Sequence, residues 1–128
     1  MKLGITAPRE WNGYEFQEKR MFDWFESIKD LIDEFHTGCA IGGDEAITYA
    51  VSRMTDKSKI IGHPCSFRNQ TSQLCLNLCG KVLPRKDPLD RNIDIVEAVD
   101  VLAAAPDGPE KQRSGTWFTI RQCRSREK

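Results

Sequence analysis

Apolar and polar positions follow different repeats along the chain, and these repeats predict strands and helices in turn. The short apolar segment 2–6 stops at a proline turn and is typical of a buried strand. From residue 16 to residue 35, apolar side chains recur mainly three or four positions apart, which predicts one long amphipathic helix. The segment 36–38 ends that helix, and the apolar run 39–41 predicts a second strand.

A glycine turn separates this second strand from the next helical pattern. Gly42 and Gly43 precede a pattern typical of a helix over residues 45–53, and Asp44 stands where its N-cap residue is expected. The segment 59–63 is apolar and closed by a proline, so it predicts a third strand.

The second half of the chain has a weaker pattern at first. Residues 66–83 are irregular, apart from a short apolar run at 74–78 that predicts a small buried element. An aspartate followed by proline at residue 87 is typical of a helix start, and residues 99–104 predict a strand. The loop 105–113 then leads into a final helix.

Strands that alternate with helices predict an α/β fold. We expect a Rossmann-like three-layer sandwich, with helices on both faces of a mostly parallel sheet of four to five strands. Ligands of such sheets bind beyond the carboxyl ends of the strands. That edge is expected to gather residues 6–9, 42–44, 63–65 and 105–116.

Length and composition fit one domain that spans residues 1–128. Apolar residues make up 39% of the chain, and no apolar run approaches the roughly 18 residues that a membrane span requires. The first residues lack the pattern of a secretory signal, so we expect a cytoplasmic protein with reduced cysteines and no membrane partner.

The charges of the chain balance. Lysine and arginine number 19 against 19 aspartate and glutamate residues, so no global field attracts a polyanion, and nucleic acid is not expected as a partner. The basic residues near the C-terminus are expected to complement the dipole of the last helix.

Ser114, Gly115 and Thr116 form a small polar turn at the start of the final helix. The first N–H groups of a helix have no partner within it, and a glycine there lets an anion approach them, so the turn is a candidate phosphate site. The alternative is that Ser114 or Thr116 only caps the helix. Similarly, Asp44 either accepts hydrogen bonds from a ribose or caps its own helix.

Metal sites and a catalytic triad find little support in the sequence. His63, Cys65, Cys75 and Cys79 are potential zinc ligands, but their spacing lacks the paired Cys-x-x-Cys pattern, so no metal is expected. A triad of Ser114 and His63 with an acid lacks the Gly-x-Ser-x-Gly elbow. No cofactor is predicted.

Several blocks carry a resemblance to a known family. These are "RNIDIV" at 91–96, "DVLAAAP" at 100–106 and "RSGTWFTIR" at 113–121, together with Arg9 after the first strand and the Gly-Gly-Asp44 turn. In this order they resemble the SLOG superfamily over nearly the whole chain, above all its small uncharacterised members from bacteria and phages. The resemblance implies a Rossmann-like domain that binds nucleotides or nucleotide-derived ligands, with phosphate at the Gly-Thr turn.

The sequence departs from the enzymes of this superfamily at one important position. The LOG phosphoribohydrolases carry Pro-Gly-Gly-x-Gly-Thr-x-x-Glu, and the glutamate helps to cleave the N-glycosidic bond. Alignment of Gly115 and Thr116 with that motif places Thr119 where the glutamate would be, and a hydroxyl cannot stabilise an oxocarbenium-like charge as a carboxylate does. Relatives also tend to continue into a further strand, and the sequence leaves open whether that edge strand is absent here.

The leading hypothesis is therefore binding of a nucleotide or a nucleotide-derived ligand, for sensing or sequestration. In it, Arg9 and Arg113 donate to phosphate and the turn 114–116 holds it. The turn of Gly42, Gly43 and Asp44 is a second part of the binding site, in which Asp44 binds the ribose.

Two alternatives remain, so whether the protein is an enzyme stays open. The first is a nucleoside or nucleotide N-glycosidase or deoxyribosyltransferase that uses Asp44, Asp94 or Glu110 in place of the missing glutamate. The second is a protein-interaction domain with a vestigial site. A homo-oligomer is compatible with all three hypotheses.

Overall fold

Parallel strands and helices alternate along the chain. The structure is a computed structural model that describes residues 1–8, 15–105, 110 and 114–128, and for residues 15–18 it describes the backbone only. Its strands are β1 (Lys2–Thr6), β2 (Glu34–Thr37), β3 (Ile60–Gly62), β4 (Lys81–Val82) and β5 (Val101–Ala104). Its α-helices are α1 (Glu15–Ile28), α2 (Gly43–Ser52), α3 (Gln73–Leu78), α4 (Pro88–Ala98) and α5 (Gly115–Ser125).

The strands form one sheet in the order β4-β3-β2-β1-β5, and every neighbouring pair is parallel. The chain moves outward from β1 to β4 and then returns to place β5 on the other side of β1. The strand order therefore reverses between β1 and β5, and a crevice for a ligand is expected beyond the carboxyl ends of the strands at such a point. The predicted α/β class and the parallel sheet are confirmed.

Helices cover both faces of this sheet. Successive residues of a strand point to opposite faces. Leu3 and Ile5 of β1 belong to the main apolar core, to which α1, α2 and α3 also contribute. Gly4 points the other way, toward α4, where an added Cβ would lie 2.9 Å from Val99 and 3.1 Å from Ile95. The predicted three-layer sandwich is therefore confirmed.

The predicted long helix over 16–35 is wrong in its second half. Helix α1 ends at Ile28, a 3-10 turn follows, and Phe35 lies in β2. Ile32 and Phe35 are buried, but they reach the core from a loop and a strand, and their spacing only imitates a helical stripe. The predicted strand 39–41 is also wrong, since Cys39 has a φ of 52°, which a strand does not allow.

The later elements agree better with the sequence pattern. The strands expected at 59–63 and 99–104 are β3 and β5, and the short apolar run at 74–78 belongs to α3. The two-residue strand β4 was not predicted, because its side chains are exposed and carry no apolar alternation. Within the described ranges, no helix is both long enough and apolar enough to cross a bilayer.

Candidate functional site

A cavity of about 260 Å³ lies at the carboxyl edge of the sheet. Its walls come from the segments that follow β1 and β2 and from the first turns of α4 and α5, so it occupies the place where the strand order reverses. The described residues that line it are Thr6, Ala7, Pro8, Ala40, Asp44, Gln70, Pro88, Leu89, Arg91, Asn92, Ser114, Gly115 and Thr116.

The first turn of α5 forms one wall of the cavity. Ser114 is the N-cap residue, and its hydroxyl accepts a hydrogen bond from the Trp117 N–H at 3.3 Å. The N–H groups of Gly115 and Thr116 have no partner within the helix. A Cβ added to Gly115 would have Asn92 Nδ2 as its nearest neighbour, 3.9 Å away, so this turn stays accessible from the cavity. The turn caps its helix and still presents free donors.

Asp44 lies in the first turn of α2 and does not cap it. The N-cap residue is Gly42, whose φ of 103° few other residues adopt, and the helix begins at Gly43. The Gly43 N–H donates to the Pro8 carbonyl at 3.1 Å, which ties the start of α2 to the segment after β1. The predicted cap position of Asp44 is therefore wrong by two residues, because the glycine turn itself starts the helix.

The Asp44 carboxyl group is buried and only partly paired. Only 7% of the surface of this residue is exposed to solvent. Oδ2 accepts a hydrogen bond of 3.4 Å from the Ala40 N–H, whereas Oδ1 is buried without a hydrogen-bond partner among the described residues. Burial raises the pKa of Asp44 to about 7, although the Arg91 guanidinium and the backbone amides of Ala40 and Ala7 act in the opposite direction.

Arg91 places a buried positive charge beside Asp44. Its Nη1 donates to the Gly38 carbonyl at 2.7 Å and to the His63 carbonyl at 3.0 Å, which are the carbonyls just after β2 and β3. Its Nε donates to Asn92 Oδ1 at 2.8 Å. Among the described residues, no carboxylate oxygen lies within 4.0 Å of this guanidinium group. Arg91 is therefore a rigidly held cation in the wall of the cavity.

A second cavity of about 260 Å³ adjoins Arg91 on the side of β3 and β4, where His63 also lines it. The His63 Nε2 lies 2.8 Å from His36 Nδ1, and His36 Nε2 lies 3.0 Å from Glu34. The pKa values of both histidines are lowered, mainly by burial. The pKa of His63 falls to about 4. The buried histidine pair is therefore neutral at pH 7.

The other predicted site residues lie elsewhere. Asp94 forms an ion pair with Lys86 at 2.7 Å and faces the second cavity. Glu110 is exposed and pairs with Arg121 and Arg124 at 3.2 and 3.5 Å. Of the three carboxylates that the sequence offered as catalytic candidates, the structure brings only Asp44 to the first cavity.

Two more predicted binding residues do not line this cavity. Gly42 and Gly43 shape the turn before α2, and neither belongs to the wall. Arg9 and Arg113 lie outside the described residues. No group of three or more histidine, cysteine or acidic side chains in the described part of the chain is arranged to hold a metal ion.

The chain path is similar to that of a solved structure. The crystal structure of TM1055, a structural genomics target, matches all of this chain and 71% of its own length with a TM-score of 0.68 at 16% sequence identity. The fold is Rossmann-like. At this identity the likeness concerns the fold alone. No family model matches the sequence. No curated protein matches it significantly.

Sequence reasoning missed the two polar residues that α4 contributes to this site, Arg91 and Asn92. Both belong to the "RNIDIV" block, which contributed to the family resemblance, but within that block only Asp94 was given a role. Arg91 lies four positions before the buried Ile95, on the side of α4 that packs on the sheet. A cation on the apolar side of an amphipathic helix was the signal that could have identified it.

Proposed function

We propose that the cavity binds a nucleotide or a nucleotide-derived ligand, for sensing or sequestration. The phosphate lies at the start of α5, and the sugar hydroxyls lie at Asp44. We also infer membership of the SLOG superfamily. Two features support this inference: the fold is Rossmann-like, and the Gly115-Thr116 turn begins a helix at the sheet edge.

Three groups favour phosphate at the α5 end of the cavity. The free N–H groups of the first turn and the positive end of the helix dipole attract an anion. The Thr116 hydroxyl adds a donor to these groups, and the Arg91 guanidinium adds a positive charge that forms no ion pair within 4.0 Å among the described residues. In the proposal, Arg9 and Arg113 provide further guanidinium donors to the same phosphate.

The observation that carries the proposal is the unpaired oxygen of Asp44. A buried carboxylate oxygen without a hydrogen-bond partner is costly, so such an atom in a cavity wall points to a donor supplied by a ligand. Ribose hydroxyls are donors of this kind, and acidic residues bind them in other Rossmann-like sites. One cavity thus combines an anion site with an acceptor for hydroxyl groups.

The size of the cavity favours a small nucleotide. Its volume of about 260 Å³ lies just below the range of about 300–1,000 Å³ that is common for ligand sites. A mononucleotide therefore fits better than a dinucleotide.

A second candidate function is hydrolysis or transfer at the N-glycosidic bond. The raised pKa of Asp44, at about 7, suits a residue that exchanges a proton near neutral pH. Against it, Thr119 takes the place of the expected glutamate, and its hydroxyl is buried and donates to the Gly115 carbonyl at 2.8 Å.

Binding is tested by thermal melting and calorimetry with nucleoside 5′-monophosphates, nucleosides and inorganic phosphate. We expect monophosphates to bind and to raise the Tm. Gly115→Asp places a carboxylate at the anion site and should weaken monophosphate binding at least about tenfold. The control Asn77→Asp adds the same charge on the exposed side of α3 and should leave binding unchanged. The proposal fails if no monophosphate binds.

Asp44→Asn separates the two ends of the ligand. It should weaken binding of monophosphates and nucleosides but not of inorganic phosphate, whereas Asp23→Asn, on an exposed part of α1, should change none of them. Chromatography of the same mixtures detects free base. Base release that Asp44→Asn abolishes would show an enzyme, and binding without release would exclude hydrolysis of the tested nucleotides.

A further inference from the structure

Three cysteine side chains meet in the core beneath the candidate site. The Cys75 thiol donates to Cys39 Sγ at 2.7 Å, and Cys79 Sγ lies 3.6 Å from Cys39 Sγ. All three residues are at most 7% exposed. Cys39 belongs to the connection between β2 and α2, whereas Cys75 lies within α3 and Cys79 caps its C-terminal end. The cluster therefore joins two separate segments of the chain.

We propose that Cys39 and Cys75 form a reversible disulfide when the protein meets a peroxide, so that this cluster is an oxidation site of the chain. The geometry needs little change. A disulfide has an S–S distance of about 2.05 Å, so the two sulfur atoms must approach by about 0.7 Å. The other two cysteines lack this arrangement, because the contacts of Cys65 are to Phe67 and Thr71, and Cys123 lies in α5 on the opposite face of the sheet.

Cys79 is the residue at which a peroxide can react first. It has the largest exposed fraction of the three cysteines, and the hydrogen bond with the Cys39 thiol, whose sulfur lies 3.6 Å away, lowers its pKa against the effect of burial. A lower pKa increases the fraction of thiolate, which is the form that attacks a peroxide.

The oxidation balances with hydrogen peroxide as the only co-reactant. The Cys79 thiolate attacks one peroxide oxygen, the O–O bond breaks, and the products are a sulfenic acid and hydroxide, which takes up a proton to become water. Cys39 then attacks the sulfenic sulfur, which releases a second water molecule and leaves a Cys39–Cys79 disulfide. Finally, Cys75 attacks Cys39 Sγ and expels the Cys79 thiolate. In total, two thiols lose two electrons and two protons, and one peroxide becomes two water molecules.

The bond would connect α3 to the connection before α2. It closes a loop from residue 39 to residue 75 and so restricts the unfolded chain, which is expected to raise the Tm by at least about 5 °C. Ala40, the residue after Cys39, lines the first cavity, so the oxidation site lies one residue from the candidate binding site.

The test treats the purified protein with hydrogen peroxide, blocks free thiols under denaturing conditions, digests it with trypsin and identifies the peptides by mass spectrometry. We expect a cross-linked pair of peptides, 30–53 and 69–81, with Cys79 alkylated, a mass loss of 2 Da and full reversal by dithiothreitol. The oxidised protein should also melt at the higher temperature. Unchanged alkylation of all five thiols would refute the proposal, as would a bond between any other two cysteines.

Two variants complete the experiment. Cys39→Ala should prevent the cross-link, because both disulfides of the reaction contain Cys39, and Cys123→Ser is the matched control that removes another buried thiol and should leave it intact. If Cys39→Ala does not fold, the peptide map of the Cys123→Ser variant decides, because this variant keeps all three cysteines of the cluster.

Discussion

Asp44 and Arg91 meet across the missing side chain of Gly38. A Cβ added to Gly38 would lie 2.9 Å from Asp44 Oδ2 and 2.6 Å from Arg91 Nη1, and the Gly38 carbonyl accepts a hydrogen bond from the same Nη1. The turn after β2 therefore holds a buried carboxyl group and a buried guanidinium group side by side. The stability of the fold and the charge of the cavity depend on the same three residues.

Gly38→Ala should destabilise the protein. The added Cβ would overlap with the Arg91 guanidinium, which two backbone carbonyls hold in place, so we expect a loss of about 1–3 kcal/mol in the free energy of unfolding. Gly115→Ala is the matched control, because the nearest neighbour of its Cβ is 3.9 Å away. Urea unfolding measures both. If Gly38→Ala is as stable as the wild type, then a Cβ at position 38 does not overlap with the Arg91 guanidinium.

Asp44→Asn should stabilise the protein at alkaline pH. The pKa of Asp44 is about 7 in the folded protein and has its ordinary value of 3.8 in the unfolded chain. Between pH 3.8 and pH 7, the folded protein therefore retains a proton on Asp44 that the unfolded chain has released. Stability from this group is therefore lost as the pH rises from about 4 to 7. We expect Asp44→Asn to gain about 2–4 kcal/mol at pH 8 and little at pH 4.

Urea unfolding at pH 4, 6 and 8 tests this expectation, with Asp23→Asn as the control for loss of an exposed carboxylate. A variant that is no more stable than the wild type at pH 8 would show that the Asp44 carboxyl group is not costly to bury.

Much of the fold could be predicted from the sequence, because alternation of strands and helices depends on local apolar spacing. One exception is β2, where Ile32 and Phe35 continue the helical spacing of α1 although they belong to a loop and a strand. Local spacing cannot reveal this, since only pairing with β1 and β3 makes residues 34–37 a strand.

The candidate site was predictable in part for a similar reason. Parallel strands present their carboxyl ends at one edge of the sheet, so the sequence predicted that Asp44 and the turn 114–116 lie close together. In the structure, both line one cavity. Arg91 could not be placed in this way. Its burial depends on the carbonyls of Gly38 and His63, which are distant in sequence and meet only in the folded sheet.

The histidine pair should make the protein less stable in mild acid. The pKa of His63 falls from 6.5 to about 4 on folding, chiefly through burial and then through His36, with Asp94 opposing and Arg91 and Lys86 assisting the shift. Between these values the unfolded state binds a proton that the folded state does not, so stability is present above about pH 6.5 and is lost as the pH falls toward 4.

Because Asp44 has the opposite pH dependence over much of this range, the Asp44→Asn variant is the suitable background. In it, the free energy of unfolding should fall by about 2–3 kcal/mol between pH 6.5 and pH 4. A further His63→Gln substitution, which cannot take up a proton, should flatten this dependence. The interpretation fails if the slope with pH is the same with and without His63.

Arg91 and Asp44 should be energetically coupled, and a double-mutant cycle at pH 8 measures the coupling. Arg91→Met leaves the Gly38 and His63 carbonyls without a donor and removes the charge that lowers the pKa of Asp44, so we expect a loss of about 3–5 kcal/mol. Asp44→Asn should then stabilise the Arg91→Met protein by at least about 1 kcal/mol more than it stabilises the wild type.

Arg91→Lys serves as the matched variant for this cycle. Lysine retains the positive charge but lacks the planar fork that reaches two carbonyls, so it should lose stability and keep most of the coupling to Asp44. The distant pair of Asp23→Asn and Arg91→Met should show no coupling, because separate sites contribute additively. If Asp44→Asn has the same effect with arginine, lysine or methionine at position 91, then the Arg91 charge does not act on the carboxyl group.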